Sequence, residues 1–101
     1  MRDHMNHLVR ESIGTWGAHT QLAIVQEACA ELVAAISWGK RHGQEVEELA
    51  EVAAGLELAL ASLRMIVGEE AVDDAVARKV ESLDVDLCMY RASNQPLQGA
   101  A

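Results

Sequence analysis

Four carboxylates stand out by their spacing. Glu27 and Glu31 lie four residues apart, and Glu48 and Glu51 lie three apart. On helices, each pair would project from one face. Between Ala18 and Trp38 the only charged residues are Glu27 and Glu31, and their neighbours are Ala23, Ile24, Ala30, Ala34 and Ala35. A solvated helix face ordinarily carries more charges, some of them Lys. Two carboxylates on a small apolar face lose solvation and repel each other, so a cation is expected to compensate them. Glu48 and Glu51 share a face with Gly55, Ala59 and Ser62, whose small side chains admit a second helix closely. Glu45, Glu47 and Glu57 around them also fit a plain Glu-rich helix start. Four carboxylates converging from two successive helices make an oxygen-only ligand set, which suits Mg²⁺ or Mn²⁺ and needs no His.

Other chemistry-bearing residues are fewer. Trp38 follows Glu31 by two helical turns, so its indole could stack on a base or simply anchor a helix end. Lys40 and Arg41, between Gly39 and Gly43, could meet phosphates or lie solvated in a loop. The four His and two Cys show no metal-ligand spacing, and Cys29 reads as a core thiol. There is no Gly-rich phosphate loop and no nucleophile elbow.

The elements that must position these residues are helical. The chain has 101 residues, half of them hydrophobic, with no Phe and a single Pro. That size predicts one domain, residues 1–101, and that composition favours closely packed helices. A short N-terminal segment precedes three long helices. The first is predicted over Ala18–Trp38, with a Leu22/Val25/Cys29/Leu32/Ile36 stripe and Gly39 as its C-cap. The second is predicted over Gln44–Val67, with a Val46/Leu49/Ala53/Leu56/Leu60/Leu63/Val67 seam. The third starts after Gly68, carries acids in its first turns and a Val72/Val76/Val80/Leu83/Leu87 stripe, and residues 92–101 are expected to fray. The expected fold is an all-α antiparallel helical bundle. Its first long helix is apolar nearly all round, so completion by a homodimer or homotetramer is expected.

Charge and composition bound the partners. With 8 basic and 16 acidic residues the net charge is −8, which argues against nucleic acid and anionic membrane as partners. No apolar run approaches the roughly 18 residues of a membrane span. The start of the sequence shows no apolar leader, and two cysteines set no disulfide framework, so a cytoplasmic protein is expected.

The stretch Trp16-Gly17, Gln26-Glu27-Ala28-Cys29-Ala30-Glu31-Leu32, Glu48-Leu49-Ala50-Glu51-Val52, Lys79 and Leu83 resembles the all-α nucleoside triphosphate pyrophosphohydrolases, in particular the short, single-domain MazG-like group often carried by phages. The likeness covers roughly residues 13–83, within a helical core of about 13–90. The family pattern is E-E-x-x-E on one helix and E-x-x-D on the next. Here Ala28 replaces the second Glu, Glu51 replaces the Asp, and Ala53 stands where a further acid is frequent. The resemblance implies Mg²⁺ (or Mn²⁺) held by Glu27, Glu31, Glu48 and Glu51, with Glu27 and Glu31 catalytic. It implies substrate contacts from Trp38 and from Lys79, for which a plain salt bridge is the even alternative, and Lys40 and Arg41 are the loop cations that would join them. The reaction implied is cleavage of a nucleoside or deoxynucleoside triphosphate to monophosphate and pyrophosphate. A weakened relative that only binds nucleotide is one alternative, because the Ala28 place is usually a metal ligand. A helical oligomerisation module without a small-molecule site is another. The sequence does not specify the base or the sugar.

Overall fold

The computed structural model describes residues 1–94, and these residues are all-α: α1 (Arg2–Trp16), α2 (Ala18–His42), α3 (Val46–Val67) and α4 (Glu69–Asn94). The chain separates into two compact units, Met1–Gly68 and a second beginning at Glu69. Gly17, Gly43 and Gly68 end the first three helices with φ between 87° and 118°, a backbone region where a Cβ is strained. Each donates its N–H back into the last helical turn, at 2.8 Å.

Four boundaries differ from the sequence reading, the smallest being the start of α3, at Val46 and not at Gln44. The N-terminal segment is a full helix, α1, because Met5, Val9 and Ile13 repeat at four-residue steps and Val9 is buried. Gly39 does not cap α2. The helix continues through Lys40, Arg41 and His42, cations that suit the negative end of its dipole. Gln44 turns back and donates its Nε2–H to the Ile36 carbonyl at 3.2 Å. The Gln44 amide occupies the space that a Cβ on Gly39 would need, so Gly39 is required for close approach and not for its φ. At the other end, α4 holds Ala92, Ser93 and Asn94 in helix, and the remainder of the expected frayed tail, 95–101, lies outside the described residues.

Within the first unit, α2 and α3 run antiparallel. Gln21 meets Ser62 at one end, while Ala35 and Trp38 meet Glu48 at the other. The packed face of α2 is Gln21, Val25, Ala28, Leu32, Ala35 and Gly39, a seam of alternating four- and three-residue steps. It is rotated from the expected stripe: Leu22, Cys29 and Ile36 are exposed. On α3 the covered positions include Leu49, Val52, Leu56, Ala59, Ser62 and Leu63, while Val46, Ala53, Leu60 and Val67 of the expected seam are exposed. The cause is side-chain size. Ala35, Gly39, Ala59, Ala61 and Ser62 are five of the seven buried positions of the pair, with Gln21 and Val25, so the helices close mainly on small residues and leave most of the larger ones outside.

The core is accordingly thin. Val9, Val25, Ala35, Ala59 and Ala61 are its buried apolar residues, and among the described residues no large side chain is fully buried. The far flank of α2 stays open, with Val33 64% exposed. Averaging corrects one further expectation. Glu27 and Glu31 interrupt every apolar run, yet an 18-residue window of α2 has a mean hydropathy of 1.3, long and apolar enough to cross a membrane by length and composition. Two mid-helix carboxylates in a bilayer are costly, at several kcal/mol for a charged group.

Candidate functional site

The site lies beside the packed seam of the two middle helices. One turn after Ala28, the carboxylate of Glu31 stands at the edge of α2's packed face. Two turns further, Trp38 stands on the same flank. From α3, the first turn contributes Glu48, followed one turn later by Val52. Glu31, Ala34, Ala35, Trp38, Glu48 and Val52 line one open groove of about 380 Å³. That volume is at the lower end for a small-molecule site. Alanines form its floor because the helices approach closely there.

Trp38 is 55% exposed, and one face of its indole is engaged by the His42 imidazole, with ring centroids 3.9 Å apart and planes tilted by 30°. This i,i+4 contact holds the indole at the groove rim. Lys40 and Arg41 are exposed on the last turn of α2, in helix and not in a loop, and do not line the groove. Glu27 and Glu51 are exposed and also stand off the lining. The structure therefore joins two of the four expected carboxylates, Glu31 and Glu48, with Trp38. Lys79 belongs to α4, in the second unit, where with Ala75, Arg78 and Ser82 it lines a separate surface hollow.

The expected desolvation of Glu27 and Glu31 is not found: both side chains are exposed in the chain, as are Glu48 and Glu51. Among the described residues no three His, Cys, Asp or Glu side chains are grouped to hold a metal ion. A two-carboxylate groove still fits Mg²⁺ chemically. This cation keeps several waters and is ordinarily held by one or two carboxylates together with substrate phosphates, not by an all-protein cage. It does not fit a soft or preformed structural metal site.

Two features escaped the sequence reading. Gln21 is 4% exposed and Ser62 is 3% exposed, and the Ser62 hydroxyl donates to Gln21 Oε1 at 2.9 Å. The Gln21 Nε2 group is buried without a partner. Polar residues within an otherwise apolar seam were the available signal. The second is Val52 in the groove lining, a residue the sequence reading did not place at the site.

No protein-family model, curated protein or solved structure matches the chain.

Proposed function

We propose that this chain hydrolyses nucleoside triphosphates to monophosphate and pyrophosphate with Mg²⁺, as the MazG-like pyrophosphohydrolases it resembles do. The observation that carries the reading is the meeting of Glu31, Glu48 and Trp38 in one groove, from two helices. Glu31 and Glu48 would hold the cation, and the exposed indole of Trp38 offers a surface for the base. Bound Mg²⁺ supplies charge neutralisation at the phosphate oxygens and makes water more acidic. Glu31, which lines the groove, would also orient the attacking water and pass its proton to solvent. The water oxygen bonds to the α-phosphorus, the bond to the α,β-bridging oxygen breaks, and pyrophosphate leaves. A net charge of −8 does not oppose this, since the cation reverses the local field. The helices would complete an antiparallel bundle in a homo-oligomer, with a second copy covering the open flank of α2.

The test is product analysis from a panel of ribo- and deoxynucleoside triphosphates. Mg²⁺-dependent release of pyrophosphate and monophosphate is expected. Release of inorganic phosphate alone, or no release and no binding, would overturn the reading.

A second reading, nucleotide binding without turnover, is favoured by Ala28. It is half-buried on the packed face of α2 and brings no ligand. Ala28→Glu is expected to raise Mg²⁺-dependent pyrophosphate release. Without Mg²⁺ it is expected to lower stability by about 1 kcal/mol, through one more carboxylate beside Glu27 and Glu31. With Mg²⁺ the melting temperature should recover by mass action.

A further inference from the structure

Along α4 runs an apolar seam that its own unit leaves uncovered. Val76, Val80, Leu83, Leu87 and Tyr90 recur at alternating steps of four and three, and each is at least 41% exposed. The helix has 26 residues and no buried side chain. A lone helix draws little stability from propensity, so a seam of this length calls for a partner.

We propose that the seam pairs with the same seam of a second copy of this chain, running antiparallel. Its spacing is self-complementary: Val, Val, Leu and Leu lie at steps of four, three and four. Turned end for end, Val76 meets the partner's Leu87 and Val80 meets the partner's Leu83. Every central layer then combines a smaller side chain with a larger one.

The flanking charges fix the direction. In the antiparallel register Lys79 faces the partner's Asp86 and Glu70 faces the partner's Arg91. The two-fold axis repeats each pair. Asp84 faces the partner's Ala77, so no like charges meet along the seam. A parallel pair also matches Lys79 with the partner's Asp84 and Asp86 with the partner's Arg91. It fails at the helix start, where Glu69, Glu70, Asp73 and Asp74 would crowd their own copies. Antiparallel pairing separates these acidic turns and opposes the two helix dipoles. It assigns Lys79 to an ion pair between subunits and not to a phosphate, and it is independent of the nucleotide reading.

Sedimentation equilibrium of the full chain, with charge reversals, tests it. Leu83→Asp should abolish this association and halve the weight-average mass, or more. Lys79→Asp and Asp86→Lys should each weaken association about tenfold, since attraction becomes repulsion at two symmetric places. The double variant should restore wild-type affinity to within about threefold. In a parallel pair the double variant would leave both flanks like-charged and stay weak, and that outcome overturns the proposal. So does a monomeric wild-type chain at micromolar concentration, or a mass that none of these substitutions changes. The charge variants keep the test decisive if Leu83→Asp fails to fold.

Discussion

The two ends of the α2–α3 pair are built from similar small residues and do opposite things. At one end Gln21 and Ser62 are sealed, with a 2.9 Å hydrogen bond between helices and an amide nitrogen left unpartnered. At the other, Glu31, Trp38 and Glu48 surround an alanine-floored groove and remain exposed. The difference lies in side-chain length. Ser62 is short enough to sit between the helices, whereas Glu31, Glu48 and Trp38 at the edges of the seam reach outward and leave a concavity. Burial makes the first end a matter of stability, and exposure makes the second a matter of binding. Polar groups that are buried cost free energy when unpaired, while exposed ones are free to meet a ligand.

Substitutions at the two ends should therefore separate activity from stability. The largest effect is expected at the open end. Glu31→Gln or Glu48→Gln should lower Mg²⁺-dependent turnover by about 10²-fold, comparable to losing one electrostatic contact to a transition state. The melting temperature should not move, because both side chains are solvated. Loss of stability with activity intact would erase the distinction. Next comes the sealed end. Ser62→Ala leaves both polar atoms of the Gln21 amide unpartnered and should cost about 1–3 kcal/mol by denaturant unfolding, with nucleotide binding unchanged in the folded fraction. Adding Gln21→Leu should recover most of that loss, since an apolar pair has nothing left to satisfy. A double variant as unstable as the single one would refute the buried-polar explanation. The smallest effect belongs midway between the ends. Gly55 lies inside α3 with open space around its missing Cβ, so Gly55→Ala should stabilise the fold by about 0.5–1 kcal/mol. A destabilisation would mean that the helices approach there more closely than the structure shows.

The helices were legible in the sequence because glycine punctuation and apolar periodicity act locally. Gly43 and Gly68 end helices where the pattern changes, and the start of α4 after Gly68 follows directly. The rotation of α2 was not legible. A helix apolar nearly all round offers several stripes of equal hydrophobicity, and packing chose the one rich in Ala and Gly, which placed Cys29 outside and Ala28 inside. Gly39 misled for a related reason. Its role depends on Gln44 folding back, a contact that periodicity does not encode. Glu31 and Glu48 lie on facing helices and line one groove. Which of the four acids line a common groove depended on that rotation, and Glu27 and Glu51 fell outside it.

The central claim is that Glu31, Glu48 and Trp38 form a nucleotide site that works through Mg²⁺. Calorimetric titration with a nucleoside triphosphate analogue that resists α,β cleavage tests it most directly, because binding is read without turnover. The wild-type chain should show saturable binding with Mg²⁺ and at least tenfold weaker binding without it, and the Glu31→Gln/Glu48→Gln variant should lose the Mg²⁺-dependent part. Equal binding by wild type and variant, or no binding by either, would contradict the account.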